Sequence, residues 1–293
     1  MSTPNTSRRQ ESGWSSKTLA CALLVSLLAW CSAASASPQS DALALQQVAI
    51  DRLKGLTEAY RRTLDFRPLQ PALKLTDAEL TQSGQALRAV GDDVGLAAGL
   101  IKQGDVWRML DQQVRAAGLY AEAAAAALRG GHLGYEADAL GAKAVSEFYS
   151  GRDDQAFRDA ERAVARAQAS GRKDALSRAY GMLTQIHVKR KNLAAAEASS
   201  KLEFMAAADA SDRIAVFTAH VDHGLLQEAI LRSCDLRGDV VPCLEALEAG
   251  RADHEAARAI AVAMAYPALE KSMVSLLAVN AKMRALIESL GRK

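Results

Sequence analysis

The sequence predicts an all-α chain of stacked helical hairpins, and three observations carry that prediction. The 293 residues are 49% hydrophobic but only 5% aromatic. Ala and Leu dominate the apolar set and are among the best helix formers, whereas a sheet would draw on more Val, Ile, Thr and aromatic side chains. No proline falls between Pro71 and Pro242, so nothing in that stretch forbids helix. Three segments, 92–131, 132–171 and 172–211, align without gaps at a spacing of 40 residues, which marks a chain built from repeated units.

Residues 1–36 stand apart and read as a signal peptide. Arg8, Arg9 and Lys17 precede an uncharged apolar run from about Thr18 to Cys31, and Ala34-Ser35-Ala36 supplies a small-x-small cleavage site. The competing reading is an uncleaved inner-membrane anchor, because no charge occurs from Thr18 to Ala36 and the run approaches spanning length. Ser7-Arg8-Arg9 resembles the start of a twin-arginine signal without the apolar residues that should follow. Leu28-Ala29-Trp30-Cys31 resembles a lipoprotein box, but bulky Trp30 occupies a position that needs a small residue. The expected location is periplasmic or secreted.

Setting this segment aside takes Arg8, Arg9 and Lys17 from 36 Lys+Arg and Glu11 from 34 Asp+Glu, leaving 33 of each sign. A mature chain of zero net charge gives no support for nucleic-acid binding. Of four cysteines only Cys234 and Cys243 remain. In an oxidising compartment such a pair reads as one disulfide, and closing a ten-residue loop is worth about 2.7 kcal/mol in the loop-entropy account. Two buried free thiols are the alternative. With no CxxC, two cysteines are too few for a structural zinc site.

Within the repeats, Leu100, Leu140 and Tyr180 share a large apolar slot, and Gly104, Ala144 and Thr184 share a small slot one turn later. Ala116, Ala156 and Ala196 recur in the second half, as do Ala127, Ala167 and Ala207. Gly131, Gly171 and Ser211 end the segments, and Gly151 breaks the second one in the middle. Each segment therefore reads as two helices, with large and small slots on one face of the first. The small positions let backbones approach while the large ones fill the space beside them. One hairpin cannot bury its apolar face alone, so the copies must stack.

These residues resemble the tetratricopeptide (TPR) family in a long, roughly forty-residue form. The likeness lies in the large slot, the small slot four residues on and the Ala twelve further. Tyr120 adds the aromatic four residues after that Ala, and Ala123 and Ala163 add the next small position. Ala160 and Ser200 replace the aromatic, Glu203 replaces the small residue, and the proline near the repeat end is missing. The resemblance implies a right-handed α-solenoid of helix-turn-helix repeats with helical caps. It also implies a concave groove, lined by the first helices, that takes a peptide or a partner helix. Carried over by register, the groove residues are Arg108, Asp138, Tyr149, Arg178, Gln185 and Lys189.

Around the three repeats (91–211), residues 37–90 read as an N-terminal helical cap, 212–251 as a degenerate fourth repeat and 252–293 as C-terminal capping helices. Leu53, Leu56, Tyr60 and Leu64 form a helical stripe, and Phe66–Leu73, with Pro68 and Pro71, reads as the linker that ends it. Thr76-Asp77-Ala78-Glu79 reads as a capping box opening the next helix. In the fourth unit Cys234 would lie near the end of the first helix and Cys243 early in the second, which follows Gly238-Asp239. Tyr266-Pro267 breaks the chain before a last amphipathic helix carrying Leu269, Met273, Leu276, Met283, Leu286 and Leu290. That stripe would cover the array's end or, exposed, serve as a homodimer seam.

No catalytic constellation is recognisable. The chain lacks GxSxG, P-loop, HExxH and GxGxxG patterns, so no enzyme activity and no cofactor are expected. His220 and His223, with Asp222 between, have ligand-like spacing. However, His220 lies 40 residues after Tyr180, in the large slot, so a core role is expected and no metal. Gly130, Gly131 and Gly134 follow a helix and read as its stop. Lys189-Arg190-Lys191 reads as a solvated helix end favoured by the dipole, or as a contact for an acidic partner. Trp107, the last tryptophan once residues 1–36 are removed, is expected to pack inside its own hairpin. The sequence thus points first to a binding or scaffold module for a protein or peptide, secondly to a small-ligand sensory domain.

Overall fold

The structure, a computed structural model, describes residues 37–235 and 239–290. The signal-like segment, with Cys21 and Cys31, and Leu236-Arg237-Gly238 lie outside the described residues. Eleven α-helices and no strand occur among the described residues: α1 Pro38–Thr63, α2 Gln70–Ala89, α3 Asp93–Met109, α4 Gln113–Arg129, α5 Leu133–Tyr149, α6 Asp153–Ser170, α7 Lys173–Lys189, α8 Leu193–Ala210, α9 Arg213–Ser233, α10 Val241–Ala263 and α11 Pro267–Leu290. Each helix packs against the next in the chain, and α3, α5, α7 and α9 also touch one another in sequence order. The result is an α-solenoid of hairpins, with the odd-numbered helices forming one layer and the even-numbered helices the other.

The repeated slots are buried where the sequence places them except at Tyr180, which is half-buried. Leu100 and Leu140 are nearly inaccessible, Ala144 and Thr184 fully so, and all six recurring alanines from Ala116 to Ala207 lie in the interior. Gly104 shows why the small slot is small. A Cβ there would stand 2.5 Å from Cε1 of Tyr120, and Tyr120 is itself fully buried, so the ring cannot yield.

The underlying module is shorter than the sequence repeat. Positive φ recurs every twenty residues, at Gly91, Asp111, Gly131, Gly151, Gly171, Lys191 and Ser211. At each of these a helix ends in the left-handed conformation and the next begins two residues on. Glycine adopts this without strain, so the four glycine stops are visible in the sequence. Asp111, Lys191 and Ser211 hold the same conformation at a cost; the repeat register marks Ser211 as a segment end, whereas nothing in the sequence marks Asp111 or Lys191.

The flanks depart from expectation in two places. Helix α2 starts at Gln70, inside the span read as a linker, because proline is tolerated in the first helical turn and Pro71 sits there. Thr76 consequently lies within α2, its hydroxyl donating to the Ala72 carbonyl at 2.8 Å rather than capping a helix start. Helix α10 runs through residue 251 to Ala263. Cys234 follows the last residue of α9, and Cys243 is the third residue of α10.

Candidate functional site

Two contiguous cavities, of about 1000 and about 480 Å³, lie along the layer of odd-numbered helices. They share Ile50, Lys102, Asp105, Arg108 and Val145, so one track runs from α1 across α3 and α5 to α7. Four of the six register-derived residues lie on it: Arg108 and Tyr149 in the larger cavity, Arg108, Asp138 and Arg178 in the smaller. Gln185 and Lys189 line neither.

Arg108 projects from α3 beside Asp105. Asp105 is already engaged: the Tyr120 hydroxyl donates to Oδ1 at 2.8 Å and Lys102 Nζ lies 3.2 Å from Oδ2. The Arg108 guanidinium reaches Asp105 only at 3.7 Å and keeps 45% of its side chain exposed, leaving donors for a ligand. Tyr149, at the end of α5, is 63% exposed, yet its hydroxyl is raised above the usual phenol range by burial and then by the Asp222 charge, against the pull of Arg108.

At the other end of the track the charges satisfy one another. Asp138 accepts from Arg172 Nη2 at 3.1 Å and from Arg178. Asp174 accepts from Arg172 at 2.7 Å and Arg178 at 3.3 Å. The Asp174 carboxyl is held well below its ordinary range, first by the Arg172 hydrogen bonds. Lys189 sits at the end of α7, 2.7 Å from Asp153 and 4.9 Å above the Phe148 ring. Arg190 is likewise 2.6 Å from Asp154 and over Phe157.

Gln185 belongs to a buried acid pair. Its Nε2 donates to Asp222 Oδ1 at 2.8 Å, and Asp222 lies hydrogen-bonded to Glu203. Both carboxyls are almost inaccessible. Burial pushes Asp222 up to about 7, and burial together with the Asp222 charge pushes Glu203 well above its ordinary value. Gly181 makes the space: a Cβ there would meet Glu203 Oε1 at 2.6 Å and Asp222 Oδ2 at 2.8 Å. Glu203 replaces the small residue of the repeat, and its departure from the pattern was the one sequence signal of this site.

The two histidines share a carboxylate. Asp253 on α10 meets His220 Nδ1 at 2.9 Å and His223 Nδ1 at 2.5 Å. Burial would raise that carboxyl, but the two imidazoles hold it below its ordinary value. Both rings stand edge-on to Phe204, at 4.9 and 5.7 Å. No group of three or more His, Cys, Asp or Glu among the described residues is arranged to hold a metal ion. Trp107 reaches beyond its own hairpin, its Nε1 donating to Asp77 on α2 at 2.8 Å while the Arg115 guanidinium covers its ring at 3.3 Å.

Sequence reasoning missed the wall that α1 contributes, including Ile50, Lys54, Glu58 and Arg61. It also missed Lys102 and Asp105, although residues three apart on α3 share a face with Arg108. The α1 wall left no such trace, since nothing in the repeat register reaches it.

The geometry defines a helical-repeat protein with two adjoining cavities of polar and partly aromatic lining. No family model and no curated protein matches the chain. Among solved structures it is similar to the crystal structure of a Rap protein complexed with Competence and Sporulation Factor. Identity is 15%, 83% of this chain and 80% of that chain are covered, and the TM-score is 0.46.

Proposed function

We propose that this chain is an exported TPR-like scaffold whose concave channel takes an extended peptide or a partner helix. The observation that carries the reading is the continuous track of two joined cavities, with Arg108 and Tyr149 standing half free where they meet α1. Arg and Tyr are the side chains that most often dominate binding at interfaces. A track that crosses four helices suits an elongated ligand better than a compact one, although the larger cavity alone has the volume of a small-molecule site.

The test is panning a phage-displayed dodecapeptide library against the purified protein, followed by titration of the enriched peptides. Arg108→Gln and Tyr149→Ala are each expected to weaken binding at least tenfold with an unchanged melting temperature. Arg178 and Lys189 are unsuitable probes, because reversal to Glu would set a carboxylate beside Asp138, Asp174 or Asp153 and disturb the fold itself. Failure to enrich any peptide, or affinities that ignore both substitutions, would remove the channel from consideration and leave a small ligand as the next candidate.

Export is part of the same reading. It is supported by the N-terminal charge pattern and by the start of α1, where Ser37 accepts from the Ser40 amide as N-cap one residue past Ala36. No helix of the described residues is long and apolar enough to cross a membrane. Cys234 and Cys243 are free thiols in the structure, yet they belong to one apolar cluster with Leu247 and Ile287. The Cys234 thiol is pushed up to about 11 by burial and by its hydrogen bond to Cys243. In an oxidising compartment the pair is expected to close: protein isolated without reductant should lack two hydrogens by intact mass and yield a linked 234–243 peptide. Two alkylatable thiols in protein taken directly from the envelope would overturn the assignment.

A further inference from the structure

The contacts between helices run in a closed circuit. Along the concave side α1 touches α3, α3 touches α5, α5 touches α7 and α7 touches α9; α9 then packs on α10, α10 on α11, and α11 returns to α1. The return is made by residues 208 apart in sequence, where the Tyr266 hydroxyl donates to Glu58 Oε2 at 2.5 Å. Tyr266 is buried just ahead of α11, and its hydroxyl also meets Arg61. The Tyr266 hydrogen bond is the leading cause holding the Glu58 carboxyl below its ordinary range.

Glu58 and Arg61 have a second exposure, because both line the larger cavity. The residues that close the ring are therefore residues that an occupant of the channel would touch. The joint is also slight. The α1–α11 contact is far smaller than the packing within any hairpin, and its ends are turns with left-handed residues, Leu64 after α1 and Ala265 before α11.

We propose that the Tyr266–Glu58 contact is a seam that closes the channel into a ring and parts to admit a partner from the side. This rests on the channel being the binding site. A closed ring admits an occupant only through its ends, whereas a parted seam admits one from the side, so the seam sets the route by which the peptide of the proposed function enters. Because binding and opening share Glu58 and Arg61, each must change the other's equilibrium by the same factor.

The experiment places a single thiol inside the ring. With the native cysteines replaced by serine, Val145→Cys puts a reactive group on the wall common to both cavities, and its labelling by N-ethylmaleimide and by a bulky polyethylene-glycol maleimide is timed. Tyr266→Phe is expected to speed the bulky reagent roughly five- to tenfold, in the range of ordinary coupling between sites, while leaving the small reagent and the helical content unchanged. Glu58→Gln, which keeps an oxygen for the phenol but loses the charge that strengthens the bond, should label at a rate between the parent and Tyr266→Phe. Equal bulky-reagent rates in parent and Tyr266→Phe overturn the seam, as does a parallel rise for the small reagent, which means general loosening. Peptide capture that persists alongside unchanged labelling would sink the seam and leave the channel reading intact. Faster bulky labelling in a protein that captures no peptide would keep the opening ring and discard the peptide reading.

Discussion

Tyr120→Ala is expected to cost about 3–5 kcal/mol of stability, the range for emptying a large, fully enclosed aromatic site. The ring fills the small slot of the first repeat. It lies against Gly104, where even a Cβ would come within 2.5 Å, and belongs to the largest apolar cluster, with Leu96, Leu100, Ala116 and Leu140. The neighbours are two packed helices and cannot collapse into the void, which is the condition for a loss at the high end. The hydroxyl adds a separate contribution through the Asp105 carboxylate, and Tyr120→Phe isolates it at about 1.5–3 kcal/mol, the range for hydrogen bonds to charged groups. Denaturant unfolding of both variants measures the two parts. A loss below about 1 kcal/mol for Tyr120→Ala would mean that the α3–α4 hairpin does not depend on this ring.

The second large effect is one of pH. In the folded protein Asp222 is pushed from 3.8 up to about 7, so between those values the native state holds a proton that the unfolded chain has released. Stability from this group is therefore fully present below pH about 4, falls as pH rises, and is gone once pH passes about 7. Asp222→Asn keeps the volume and can still accept from Gln185, but it cannot ionise. The variant should match the wild type near pH 4 and exceed it by roughly 2–4 kcal/mol at pH 8. His187 and His254, both lowered chiefly by burial, act in the opposite sense, favouring the folded state as pH rises, but equally in both proteins. They cancel in the difference between variant and wild type. Unfolding curves at pH 4, 6 and 8 provide the measurement, and a gap that stays constant with pH would show that the acid pair is not a proton site.

The candidate site was legible only in part, for a reason visible in its residues. Arg108, Asp138, Tyr149 and Arg178 share a helical register with the repeat, so a register rule finds them. Gln185 obeys the same register yet turns to a buried carboxylate, because Glu203 departs from the repeat and Asp222 needs a donor. Lys189 obeys it as well and is drawn instead to Asp153 and the Phe148 ring at the edge of the array. Register sets the direction in which a Cα–Cβ bond points; the partner waiting there belongs to another hairpin.

The sequence by itself determined the helical hairpins, their forty-residue period and the identity of the close-packed positions from Leu100 to Ala207. All of these follow from side-chain size repeated at helical spacing, which is local information. The tertiary structure alone decided that α2 begins at Gln70, that the true module is twenty residues with Asp111 and Lys191 as unmarked stops, and that Trp107 binds back to Asp77. It alone placed α1 as a wall of the channel and joined Tyr266 to Glu58 across the ends of the chain. Those features depend on pairs far apart in sequence, where each residue is ordinary alone and gains its role only when the stacked hairpins bring its partner within reach.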